Sequence, residues 1–167
     1  SLVSLTAPPR DLGAMVFGNI GKGIFQYWVG LYNGNGPAGG DNNSDKDLAV
    51  RLAVTPGATM EGDVIKNLTF AVSYTRGVAG RDSGAPFEMI APASGTQFHC
   101  GPNTFQSDYD RTRFGCDLVW VFGPLSVKGE FSYLKSKHNF GGSHTPFRVS
   151  AYMGEVGFWL LGSTRTN

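Results

Sequence analysis

The chain has 167 residues, 41% hydrophobic and 16% charged, with 24 glycines and a formal net charge of +1. Charge is low against a usual share of about 25%, and glycine is about double its average. No run of about 18 apolar residues exists, which excludes a transmembrane helix. A mean hydropathy of −0.14 does not argue against a membrane, because only every other residue of a barrel strand meets lipid.

In chain order, residues 1–9 are apolar and then proline-rich, the tail of a loop or of another strand. Residues 11–19 (DLGAMVFGN) and 24–32 (IFQYWVGLY) flank Ile20-Gly21-Lys22-Gly23, a glycine-rich link that signals a hairpin. Folding about Gly21 and Lys22 sets Leu12 against Leu31, Ala14 against Val29, Val16 against Tyr27 and Gly18 against Phe25. A polar loop at 33–46 leads into 47–54 (DLAVRLAV), where Leu48, Val50, Leu52 and Val54 alternate with Ala49, Arg51 and Ala53. A period of two with arginine in the middle means one greasy face and one wet face. Residues 55–67 form a link, and 68–76 alternate cleanly again.

Residues 77–108 are long, irregular and rich in glycine, proline and serine, a length that goes with function or mobility. The next strand, 109–122, sends Thr112, Phe114, Cys116, Leu118, Trp120 and Phe122 one way. Arg111, Arg113, Gly115, Asp117, Val119 and Val121 face the other. Gly123-Pro124 makes a turn, 125–137 return, 138–146 form a polar loop, and 147–161 make a seventh strand.

The links run short, long, medium, long, short, long, the asymmetry of an outer-membrane barrel with short periplasmic turns and longer extracellular loops. The turns at Gly21-Lys22 and Gly123-Pro124 are then inside, and loops 33–46, 77–108 and 138–146 outside. Tyr74, Tyr133 and Tyr152 sort towards the outer rim, and Phe25, Tyr27, Trp120, Phe122 and Phe158 towards the inner one, as two aromatic girdles. The fold class is therefore all-β, an antiparallel up-and-down transmembrane β-barrel in a single domain over 1–167. Seven strands leave two open edges, and bacterial single-chain barrels have even strand numbers. The chain reads as part of a larger barrel. A soluble β-sandwich explains the alternation equally well, but not the broad apolar faces with long loops on one side.

Three pieces stand in order: RDLGAMVFG from Arg10, YWVGLYNGNG from Tyr27, and DNNSDKDLAVRLAVTP from Asp41. Together they resemble the phosphate-selective porin O and P family of Gram-negative outer membranes. The matching pieces are an Arg-Asp-hydrophobic-Gly start, an apolar strand closing on Asn-Gly-x-Gly, and Asp-Lys-Asp opening onto an Arg-Leu strand. The resemblance covers about the first third; the last strand, GEVGFWLLG, departs from the family's ending at Leu161-Gly162-Ser163. It implies an outer-membrane porin that passes anions such as phosphate and assembles as a homotrimer in the bilayer.

Residues 34–39 match the letters G-x-G-x-x-G, but no helix follows to hold a dinucleotide, so no cofactor is expected. Residues 41–45 match half a calcium loop, but Lys46 and Leu52 stand where glycine and glutamate belong, which excludes an EF-hand. His99, His138, His144 and Cys100 all fall in loops without metal-ligand spacing. Cys100 and Cys116 read as free thiols, although spacing alone leaves a disulfide open. No nucleophile–base arrangement points to an enzyme, and no nucleic-acid partner is expected.

The remaining signal is charge on the wet face. Arg51, Arg111, Arg113 and Lys128 share it with Asp117, Glu130 and Glu155, while Lys135 and Lys137 have the opposite parity. Folding about Gly123-Pro124 puts Asp117 opposite Glu130, with Lys128 diagonal to Asp117. One reading is a pore-lining basic strip that attracts anions; the other is a salt-bridge lattice that stiffens the wall. An open passive porin and a structural barrel with a plugged or sheathing lumen both remain open.

Overall fold

The computed structural model describes residues 12–33, 45–61, 63–79, 87–90, 97–100, 109–140 and 143–160. Their alternating sequences form an all-β, antiparallel structure. The strands are β1 (Gly13–Ile20), β2 (Phe25–Tyr32), β3 (Asp47–Val54), β4 (Leu68–Ala79), β5 (Phe87–Ile90), β6 (Gln97–Cys100), β7 (Tyr109–Phe122), β8 (Leu125–Phe140) and β9 (Ser143–Phe158). Seven of them make one sheet in the order β1-β2-β3-β4-β7-β8-β9, and β5 and β6 pair apart as a small hairpin. Every neighbouring pair is antiparallel. The sheet is thus a meander, open at β1 and β9, with one hairpin inserted between β4 and β7.

Several boundaries differ from the sequence expectation. The first hairpin turns through four residues, because Gly21 (φ 68°), Lys22 (φ 58°) and Gly23 (φ 93°) are all left-handed. Ala14 therefore pairs with Leu31 and Val16 with Val29, two positions from the expected partners. A shift of two preserves the faces, because side chains alternate with a period of two.

The stretch 77–108 is less irregular than expected, since β4 continues to Ala79 and β5 and β6 lie within it. The expected loop at 138–146 is largely strand, with His138 paired to Thr145 and Phe140 to Ser143. Ladder hydrogen bonds join backbone groups, so polar side chains do not interrupt them. His99 and Cys100 lie in β6, His138 in β8 and His144 in β9, so none of these sits in a loop. Within the 33–46 loop, residues 34–44 lie outside the described residues, and with them the G-x-G-x-x-G letters and most of the half calcium loop.

The link at 55–67 is a packed element. Thr55 N–H donates to Ile24 O, Ala58 N–H to Thr55 O and Met60 N–H to Gly57 O. A single-turn helix, α1 (Asp63–Lys66), follows. Gly57 is buried against the Ile65 backbone so closely that a Cβ there would overlap it. The Trp120 indole N–H donates to Val64 O at 2.6 Å, pinning α1 beside β7.

The two faces of the sheet have opposite chemistry. Register and parity place Val16, Ile20, Phe25, Leu52, Phe70, Leu118 and Val156 on one face. These stay open to the surroundings, with exposures that reach 62% at Ile20, 68% at Val16 and 72% at Val156. The opposite face carries the ionic groups, which range from shielded to open, with Arg51 and Lys128 at 39% and 43% exposed. The side chains of Arg111 and Asp47 are 12% and 11% exposed. Among the described residues the buried hydrophobics are Ala53, Ala71 and Leu134, all on this polar face. Tyr27 and Tyr152 fall on a single ladder row, with Leu52, Val72, Cys116 and Phe131 between them.

Candidate functional site

The site is the groove along the polar face, about 750 Å³ in volume, lined by Met15, Trp28, Arg51, Asp117, Lys128 and Glu130 among others. Small residues make room for it. Ala49, Ala53, Ala71, Ser73, Gly77 and Gly115 occupy the polar-face positions of β3, β4 and β7 between the charges. Long side chains can therefore lie flat across neighbouring strands.

Arg51 on β3 reaches across β4 to Asp117 on β7. Its two terminal nitrogens donate to the two carboxylate oxygens at 2.6 and 2.9 Å. This bidentate, charge-assisted geometry is the strong form of the contact. The guanidinium also stands 5.9 Å from the ring centre of Trp28, its Cα partner on β2. Asp117 faces Glu130 directly across the β7–β8 ladder, as expected. Lys128 Nζ lies 2.6 Å from Glu130. Glu155 faces Lys128 from β9. A band of charge thus crosses the wall from β3 to β9, with the two carboxylates Asp117 and Glu130 side by side at its centre and a base on either side.

A second pair lies further up. Arg111 on β7 donates to Asp47 Oδ2 on β3 at 2.7 Å. Gly77 on β4 is the Cα partner of Arg111, and a Cβ at Gly77 would overlap the Asp47 carboxylate. The glycine is thus what lets the pair form. Asp47 belongs to the site although sequence reasoning used it only as a motif letter. The available signal was its parity with Arg51, two steps of the β period earlier on the same strand.

All the residues expected on the wet face are found there, Arg113 included, which lines the groove. The structure brings Arg51, Asp117, Glu130 and Lys128 into one cluster, with Glu155 beside it, and holds Arg111 apart with Asp47. Arg111 and Arg113 are two residues apart on one strand, and Arg111 is engaged by Asp47. Cys116 is a free thiol on the apolar face. Among the described residues no group of three His, Cys, Asp or Glu is placed to hold a metal ion, and no helix is long and apolar enough to cross a membrane. Comparison with models of known protein families, with curated proteins and with solved structures returns no match.

Proposed function

We propose that this chain forms part of the wall of an outer-membrane β-barrel that passes small solutes passively. One observation carries the reading. Across all seven strands, the outward face below the row of Arg76, Lys135 and Arg148 carries no charged residue among those described. A soluble protein rarely leaves an apolar patch of more than a few hundred Å² open to water. Lipid accepts such a face, and a polar interior goes with a water-filled lumen. The two open sheet edges fit a barrel that closes with further strands, since lipid cannot satisfy unpaired backbone groups. The resemblance of the first third to the phosphate-selective porins supports the same reading.

Support for strong anion selectivity is weaker. The described polar face sets Arg51, Arg111, Arg113 and Lys128 against Asp47, Asp117, Glu130 and Glu155, and Arg51, Arg111 and Lys128 are bonded to carboxylates. A compensated wall focuses little potential of either sign. We therefore read the pore as weakly selective, with phosphate among the small anions it admits. Conductance in planar bilayers tests this. The complete barrel should open ohmic steps with a reversal potential near zero in a salt gradient. Insertion without conductance would favour a structural or sheathing barrel, and a soluble chain that needs no detergent would favour a β-sandwich whose apolar face is covered by protein. Crosslinking in detergent tests the homotrimer that the resemblance implies.

A further inference from the structure

Among the described residues of the strands, the charged residues of the outward face all stand towards one rim. Arg76 on β4, Lys135 on β8 and Arg148 on β9 share a ladder row, with Thr112 of β7 between Arg76 and Lys135. Lys135 and Arg148 are direct Cα partners on adjacent strands. Like charges placed directly opposite repel and destabilise the ladder. Arg76 and Arg148 are exposed and Lys135 is half-exposed. None of the three has an acid partner among the described residues. Asp110, one row further out on β7, is the nearest outward-facing acid, and it lies diagonal to Lys135. Three bases and one hydroxyl against one diagonal acid leave a net positive patch.

Its depth is specific. The row beneath holds Tyr74, Phe114 and Tyr133, and tyrosine favours the level where hydrocarbon meets headgroup. From Leu125 at the turn to Lys135, β8 rises about 34 Å at about 3.4 Å per residue. At a tilt of about 45° that is about 24 Å of height, close to the apolar band of a barrel. With Leu125 at one interface, Lys135 stands at the other, among headgroups, and Arg148, one strand away, lies within about 4 Å of that height at the same tilt.

We propose that Lys135 and Arg148, with Arg76 and Thr112 beside them, bind the phosphate of a lipid headgroup on the outside of the wall. The inference rests on the membrane reading above. An anion seated between Lys135 and Arg148 removes their repulsion. The arginine fork suits two phosphate oxygens, and the lysine supplies a point charge. The apolar face immediately below receives the acyl chains of the same lipid. A free phosphate ion gains nothing from that face, so the occupant is a lipid.

The test compares spin-labelled phosphatidic acid with spin-labelled phosphatidylcholine around the full chain in phosphatidylcholine vesicles at low salt. The motionally restricted fraction of each lipid reports its association with the protein. The expected result is a preference for phosphatidic acid of at least about fivefold, the gain that a single base supplies near a membrane surface. In Lys135→Gln/Arg148→Gln the preference should fall towards one, while Lys22→Gln at the opposite rim should keep it. Equal restriction of both lipids, or a preference unchanged in the double variant, overturns the lipid site and leaves the membrane reading intact. Loss of the preference on adding millimolar inorganic phosphate assigns the patch to a free ion and also overturns it. No restricted lipid of either kind overturns the membrane reading itself, and the lipid site with it.

Discussion

Asp117 and Glu130 stand directly opposite each other on β7 and β8, yet each is held by a different base, Arg51 from β3 and Lys128 from β8 itself. Two carboxylates at that spacing repel unless cations compensate them. Arg51 is the more deeply committed cation, bonded through two nitrogens. Arg51→Met should therefore destabilise the chain by about 1–3 kcal/mol, the cost of leaving a partly buried ionic group unpaired. It should also move the reversal potential towards cations. Adding Asp117→Asn should recover most of the stability. Urea unfolding in vesicles measures the first effect and bilayer recordings the second.

Gly77 separates Asp47 from Arg111, and its lack of a side chain is what the pair depends on. Gly77→Ala should cost about 1–3 kcal/mol by displacing a buried charge from its partner. In an Asp47→Asn/Arg111→Gln background the same substitution should cost clearly less, since no charge is left stranded. A double-mutant cycle with a coupling near zero would mean that the glycine acts on the backbone and not on the ion pair.

Leu118 and Val119 are neighbours in sequence but lie on opposite faces of β7. Leu118→Arg places a charge on the outward face, where hydrocarbon makes it cost about 2–4 kcal/mol near the midplane. Val119→Arg places it in the groove, beside Lys128. Assembly yield in vesicles should drop sharply for the first and slightly for the second. Equal damage would mean that the outward face packs against protein.

Arg111 and Arg113 together are the outermost bases of the groove on β7. Replacing both by Ser should move the reversal potential towards cations and weaken any block of chloride current by phosphate. Because Asp47 loses its partner in this variant, the shift should exceed that of Arg113→Ser alone. An unmoved reversal potential would show that these charges belong wholly to the wall and do not face the solute.

Much of the sheet was legible because parity is a local property. The strands 47–54 and 109–122 match their expected bounds, and Asp117 faces Glu130 because a two-residue turn at Gly123-Pro124 leaves only one symmetric register. The β1–β2 register was not legible, because it depends on how many residues turn left-handed, and Lys22 gives no sign of joining two glycines. Strands β5 and β6 have four residues each, too few for alternation to show. The partners of the groove were hidden for a different reason. Asp47 meets Arg111, and Arg51 meets Asp117, by reaching across β4 from β3 to β7, and the register that lines them up over Ser73 and Gly77 is set by strand pairings that parity alone does not give.

The account rests on the sheet being inside-out, and β8 offers the most direct measurement of it. Single spin labels placed in turn at Val127, Lys128, Gly129, Glu130, Phe131 and Ser132, with Cys100→Ser and Cys116→Ser as background, report collisions with oxygen from lipid and with a nickel chelate from water. Positions 127, 129 and 131 should favour oxygen, and 128, 130 and 132 should favour nickel, with a strict period of two. Nickel access at 127, 129 and 131, or no alternation along the strand, would contradict the account.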